Sequence, residues 1–412
     1  MMLDRSVFLA GGAFVLLLAC PTDLSSAGGA GPASVTVPFI LDHNRMLVDV
    51  EIERADGSWR TARIWFDTGE PSFSMSEALA RDLGVDLSSI AYNPNVPPPA
   101  HVRLAGMPLD FSGVETRVGK GPAWMFNAMH NDGHLSSRVL QRYQVVFDYP
   151  AASITIAEPG TLPHIGARAP AAVDPETGIV QIDAVIDGDS LSFALDMGAS
   201  YSFVDMDVVD RVLGRHPDAP RMTGAAGCAN MWGRWPPGEE NAPVVRLTDG
   251  MWGPVPLAGV GVVGVPAVAP EGPTLGAWYS RKTSHPVRGF LGPNAFMGYR
   301  VEIDYAEGAV YFAKGAGPEE SHDMDLVGLT LRPEDDGSYT VIGVVATKAG
   351  EPAVEGVEAG DKLLRIEGLE TTGETMGTVV DALRGEPGET RTLILDRGGK
   401  QLEVRAPVKR LL

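Results

Sequence analysis

One short pattern occurs twice in this chain, and the repetition limits the folds open to it more than any bulk property does. Phe66-Asp67-Thr68-Gly69 ends an apolar run, and Leu195-Asp196-Met197-Gly198-Ala199-Ser200 does so again 129 residues later. Each half also closes alike. Gly133-His134-Leu135 leads to Tyr143, Val145, Asp148 and Tyr149, and Gly289-Phe290-Leu291-Gly292 leads to Tyr299, Val301, Asp304 and Tyr305, at a constant offset of 156. A duplicated unit with one aspartate at the same point of each copy predicts two similar lobes whose acids can meet on a pseudo-twofold axis. Two carboxylates sharing one site can run acid and base chemistry together.

Short strands are expected wherever alternating apolar and polar residues are bounded by turn residues: Val35 to Leu41, Leu47 to Glu53, Arg60 to Phe66 and Gln144 to Ile156. After the first acid the pattern predicts a helix over Ser76 to Leu83, capped by Ser74 or Ser76 and stopped by Gly84. The second half repeats the order, with strands at Ile179 to Ile186 and Leu191 to Leu195, the acid, and a helix from Asp205 to Leu213 stopped by Gly214. Gly69 and Gly198 let the chain turn sharply after each acid. The second half is 27 residues longer between acid and closing segment, and the excess lies between Arg221 and Tyr279. Trp232, Trp235, Trp252 and Trp278 in that stretch read as satellite core under long loops or as walls of a cleft.

Past Gly315-Ala316-Gly317-Pro318 a third segment carries strands near Asp325 to Leu331, Tyr339 to Val345, Lys362 to Ile366, Thr390 to Asp396 and Lys400 to Pro407, with a helix over Thr375 to Leu383. The fold class expected is mainly β, with two lobes at 34–160 and 161–315 and a small domain at 316–412. That domain is long enough to stand alone and holds no cluster of His, Cys or paired acids, so binding is its expected task.

The formal charge of −20, from 53 acidic against 33 basic residues, argues against a nucleic-acid partner. Residues Val7 to Ala19 are apolar, follow the single basic residue Arg5, and precede Cys20 and a Pro/Ser/Gly-rich stretch. This reads as a signal segment at 1–19 and a tether over 20–33, the apolar run being too short for a comfortable membrane span. With Cys228 the only other cysteine, no disulfide framework follows, and its neighbours Gly227, Ala229 and Asn230 suggest a loop. The eight histidines fall in no metal-ligand spacing. Gly119-Lys120-Gly121 is too short for a phosphate-binding loop, and 259–264 lacks the Lys-Ser/Thr that would follow one. No metal, nucleotide or other cofactor is expected.

Leu17-Leu18-Ala19-Cys20 resembles a bacterial lipobox, in which the cysteine is lipidated and becomes the first residue of the mature chain. The resemblance implies an exported bacterial protein, periplasmic and lipid-anchored. Pro21 stands at the position where Asp would imply inner-membrane retention, so the outer membrane is preferred. The alternative is that Cys20 leaves with the apolar segment, which still exports the protein.

The two halves resemble the lobes of aspartic peptidases, the small retropepsin-like lobe of bacterial members above all, fused in tandem as in the pepsin plan. Ile64 to Gly69 meets the family's apolar-apolar-Asp-Thr/Ser-Gly signature, Phe193 to Ser200 meets it in part, and Phe290-Leu291-Gly292 keeps a later apolar-apolar-Gly that His134-Leu135-Ser136 does not. The likeness spans roughly 34–314. It implies a catalytic pair, Asp67 and Asp196, with Thr68, Gly69, Gly198 and Ser200 in support. One acid stays charged and one protonated, because like charges about 3 Å apart raise one pKa, and a water held between them attacks the peptide carbonyl. Both acids lie on one chain, so a monomer suffices. Four positions depart from the family: Met197 has no donor where a Thr or Ser is usual, Pro71 stands where a hydroxyl supports the outer oxygen of the acid, Ser136 replaces a glycine, and Glu70 adds a charge.

Ala353 to Gly368 resembles the PDZ run of alanine, small residues, glycine and Gly-Asp before an apolar pair. The likeness implies a partly open β-barrel with short helices whose backbone receives a polypeptide C-terminus at Gly337 and Ser338, along the strand of Tyr339 and Val341. Two functions follow from these readings. One is an exported aspartic endopeptidase whose PDZ domain binds polypeptide substrates. The other is a non-catalytic scaffold in which Asp67 and Asp196 are turn residues and both clefts bind polypeptides without cutting them.

Overall fold

The computed structural model describes residues 31–88, 95–119, 128–231, 238–267, 272–315 and 322–412. The signal segment, Cys20, most of the tether, Trp232, Trp235 and most of the third-segment linker lie outside the described residues. Pro32–Leu412 forms one compact unit that is mainly β, with a few short helices.

The first half builds a nine-stranded sheet. Strands Arg45–Glu53 and Trp59–Phe66 pair antiparallel, and their alternate residues Val48, Val50, Ala62 and Ile64 are buried on one face. Gly133–Leu135 then inserts between Trp59–Phe66, to which it runs parallel, and Phe73–Ser76, to which it runs antiparallel. A ten-stranded sheet in the second half repeats this plan. Val180–Ile186 pairs with Asp189–Leu195, and Gly289–Leu291 inserts between Asp189–Leu195 and Ser202–Asp205 with the same two senses.

A third sheet of six strands joins the halves, in the order Ser34–Pro38, Ser153–Ala157, Gln144–Asp148, Tyr299–Asp304, Ala309–Lys314, Ala167–Pro170. Its central pair, Gln144–Asp148 with Tyr299–Asp304, is antiparallel, and Val146 faces Glu302, the residue 156 positions on. The offset seen in the sequence is therefore the offset at which this strand pair meets its own counterpart. Gln144 to Ile156, expected as one strand, is two, separated by a turn at Tyr149 to Ala152.

Glu77–Asp82 is a helix capped by Ser76, whose hydroxyl accepts from Leu79 N at 3.1 Å, and Gly84 takes a left-handed conformation just beyond it. The second helix, Met206–Arg215, runs through Gly214 rather than stopping there. It ends at His216, which precedes Pro217 and is biased away from helical backbone by it.

The C-terminal segment forms a sheet in the order Leu329–Pro333, Tyr339–Val344, Lys362–Ile366, Thr390–Arg397, Lys400–Pro407, with Leu369–Glu370 paired to Lys362–Ile366. Its helix, Met376–Leu383, is capped by Thr375. It does not stand apart. One apolar cluster runs from Met222, Ala226 and Val244 of the second half into Leu329, Val341, Met376 and Leu395. Thr223 and Ala346 exchange backbone bonds at 2.9 and 2.8 Å, and Asp42 accepts from the backbone N–H of Gly377 at 2.9 Å.

Candidate functional site

Each acid follows the last residue of a buried strand, and the inserted closing strand holds it there. Asp67 N donates to Leu135 O at 2.9 Å, and Asp196 N donates to Leu291 O at the same distance. Each carboxylate then turns back on its own loop: Asp67 Oδ1 accepts from Gly69 N (2.8 Å), and Asp196 Oδ1 accepts from Gly198 N and Ala199 N (both 3.0 Å).

The two loops lie against one another. A Cβ on Gly69 would overlap the Asp196 carboxylate, and one on Gly198 would fall 2.6 Å from Asp67 Oδ1. Only glycine fits at either place. Asp67 and Asp196 are 6% and 7% exposed, and the loop of each lies against the carboxylate of the other. Burial, with Asp196 next, raises the pKa of Asp67 well above the ordinary aspartate value. Burial also raises Asp196, less far, because Tyr279, the two loop N–H groups and Arg45 favour its charged form.

Thr68 crosses between the loops. Its hydroxyl donates to Leu195 O at 2.9 Å and accepts from Met197 N at 2.8 Å, while the Met197 side chain is buried in the apolar core. Ser200 does not take the role expected of it. Its hydroxyl is buried with no hydrogen-bond partner, and its carbonyl accepts from Asn44 Nδ2 at 2.7 Å. The Ser136 hydroxyl is likewise buried and unpartnered. Glu70 turns to Lys282, with Oε2 2.7 Å from Nζ, and to the Ser72 hydroxyl at 2.8 Å. Burial opposes the charge on Glu70, but Lys282, His134 and the Ser72 hydroxyl together outweigh it and lower the pKa.

Three side chains at this site carry no signal in the sequence motifs. Tyr279, at the end of the helix Leu275–Tyr279, donates to Asp196 Oδ2 at 2.7 Å, with the Gly69 carbonyl 3.2 Å away. Lys282 lies one turn further on, 4.0 Å over the exposed ring of Trp278. Arg45 is fully buried beneath the acids, 5.3 Å from the Trp65 ring, with Nη1 2.8 Å from His43 Nδ1. Burial brings its pKa down to about 10 against the opposing pull of Asp196, so it stays charged at neutral pH. Trp252 is core: its ring packs on Phe312, and Nε1 donates to Pro170 O at 2.9 Å.

In the C-terminal segment the residues expected to receive a peptide are already engaged. Gly337 N donates to Glu334 O (3.0 Å) and Ser338 N to Asp336 Oδ1 (2.9 Å), closing a tight turn. Tyr339 and Val341 are buried, and their strand is bonded on both sides, Val341 N donating to Asp361 O at 2.8 Å. The edge strands of this sheet are Leu329–Pro333 and Lys400–Pro407, and on the first Leu331 N donates to the side chain of Asn230 at 3.0 Å. Cys228 of the second half is buried, with its Sγ 3.1 Å from Arg384 Nη2 of the C-terminal segment.

Away from the acids, His164, Asp304 and Glu307 bring one ligand atom each within 4.8 Å of one another, a grouping hidden from spacing because Asp304 stands 140 positions after His164. His164 is already bound there to buried Glu302 at 2.7 Å and stacked on Tyr311. Among the described residues no helix is long and apolar enough to cross a membrane.

No family model matches the sequence, and no curated protein matches it. Among solved structures, the aspartic proteinase from Irpex lacteus is similar at 11% identity and a TM-score of 0.38, over 69% of this chain and 98% of that one. This is a weak, low-identity likeness to an acid-protease-like fold.

Proposed function

We propose that this chain is an aspartic-type endopeptidase in which Asp67 and Asp196 activate a water for attack on a peptide carbonyl. The observation that carries the reading is the pairing of the two loops. Each acid is anchored by the same closing-strand bond, each glycine lies against the opposite acid, and Thr68 ties one loop to the other. A turn residue needs none of this cross-bracing. The register that sets Val146 opposite Glu302 supports two acid-protease lobes about a pseudo-twofold axis. In such a site the ionised acid takes a proton from water as it attacks, and the neutral acid donates to the carbonyl oxygen and then helps the amine leave.

The C-terminal segment is read as a PDZ-like module that binds polypeptide. Export and lipid anchoring at Cys20, on the outer membrane, belong to the same proposal. Replacing Cys20 with Ser and fractionating cells tests the anchoring, since retention in the membrane pellet without Cys20 would rule it out. A scaffold that binds without cutting is the second reading. It is favoured by Tyr279, whose hydroxyl already occupies Asp196 Oδ2.

Hydrolysis of reduced, alkylated casein from pH 3 to 7, followed by mass spectrometry of the fragments, separates the two. The peptidase reading expects D67N and D196N each to lower the rate by about 10²- to 10⁴-fold. Equal activity in wild type and both variants sinks it.

A further inference from the structure

Resting on the peptidase reading, we propose that Tyr279 is a positioning residue of the acid pair, one that makes Asp196 the ionised member and leaves Asp67 to carry the proton. The two acids are placed alike by the repeat but are not equally solvated by the protein. Asp196 accepts three bonds, from Gly198 N, Ala199 N and the Tyr279 hydroxyl, whereas Asp67 accepts one, from Gly69 N. Donors directed at a carboxylate favour its charged form, and hydrogen bonds to charged groups are the stronger kind. Tyr279 closes the stretch, Arg221 to Tyr279, within which the extra length of the second half falls.

Tyr279 is held firmly enough to act in this way. Thr274 caps its helix by accepting from Ala277 N at 3.1 Å, and Asp205 accepts from Gly276 N at 2.7 Å. Its ring packs on Phe290 of the closing strand, with centroids 5.2 Å apart. The other charged or titratable groups facing Asp196 are Asp67, Arg45 and Tyr149, while Glu70 and Lys282 act on Asp67. Arg45 strengthens the bias, since its charge favours ionised Asp196. The base is then Asp196, which takes the water proton, and the acid is Asp67, which gives its proton to the carbonyl oxygen.

Tyr279→Phe removes the hydroxyl and keeps the ring. Asp196 then holds its proton to higher pH, so the acid limb of the kcat/KM profile on casein moves up by about one pH unit while the alkaline limb stays. Unchanged limbs, or a shift of the alkaline limb, overturn the assignment and leave the peptidase reading intact. If wild type cleaves nothing, that reading fails, and the thermal melts of wild type, Y279F, D196N and D196N/Y279F from pH 3 to 8 still decide the bond. A destabilisation by Y279F that grows with pH and vanishes in the D196N background supports it. A pH-independent effect, equal in both backgrounds, overturns it.

Discussion

The backbone N–H of Met197 donates to the hydroxyl of Thr68 at 2.8 Å, and the Met197 side chain has nothing with which to return the bond. One hydroxyl thus braces both loops, because Thr68 also donates to Leu195 O. Thr68→Val keeps the shape and leaves two buried backbone groups without a partner. The expected loss is about 2 to 3 kcal/mol in urea unfolding. Thr68→Ser retains the hydroxyl and should lose less than half of that. Equal losses in the two variants would assign the effect to packing.

Each glycine after an acid is sized by the other acid. Gly198→Ala places a methyl 2.6 Å from Asp67 Oδ1, and the loops must part to admit it. A displacement of about 1 Å at reacting groups costs about 10²-fold in rate. Casein hydrolysis should fall at least that far while the far-ultraviolet circular dichroism is unchanged. A fully active G198A chain would mean that the loops do not act together.

Stability should carry the signature of an acid that prefers its proton. Burial and Asp196 hold the Asp67 carboxyl well above its ordinary value of 3.8, so the folded chain binds that proton more tightly than the unfolded one. The stabilisation is complete below the unfolded value and is lost as pH rises through the folded one. Asp67→Asn has no proton to lose. Its melting temperature should match wild type near pH 3 and exceed it increasingly towards pH 7. Parallel curves across that range would contradict the raised pKa.

Glu70 bears on the same proton. Its charge raises the Asp67 pKa and that of Lys282 lowers it. Glu70→Gln removes the first and releases the second from its ion pair, so both changes favour ionised Asp67. With Asp67 as the acid, the alkaline limb of the rate profile should move to lower pH. A move to higher pH would show that Asp67 is not the group losing its proton there.

Much of the fold was legible because alternation, turn residues and a repeated acid loop are local signals. Asp67, Asp196 and the strands around them stand where those signals put them. The third-segment helix, expected from Thr375, begins at Met376 with Thr375 as its cap. What was not legible depends on distance along the chain. Tyr279 reaches Asp196 from 83 residues away on a five-residue helix, and no motif marks it. Arg45 at a strand start looks like an edge charge, yet the acids it faces keep it buried. Ser200 matches a family position, but with Tyr279 already on Asp196 Oδ2 its hydroxyl is left without work. The run Gly337-Ser338, expected to receive a polypeptide, closes a turn, because Gly337 N and Ser338 N bond to Glu334 and Asp336 nearby.

Val146 facing Glu302 sets a rule for where this chain can change length. Between Asp196 and its closing strand the second half accommodates 27 more residues than the first, and each loop glycine still lies against the opposite acid. Length there is free because it leaves before the closing strand returns. Within Gln144–Asp148 or Tyr299–Asp304 it is not. One residue gained or lost would turn every later side chain to the opposite face and slide one half past the other by a strand step of about 3.3 Å. The gap between the acids is thus gauged by a strand pair that carries neither of them.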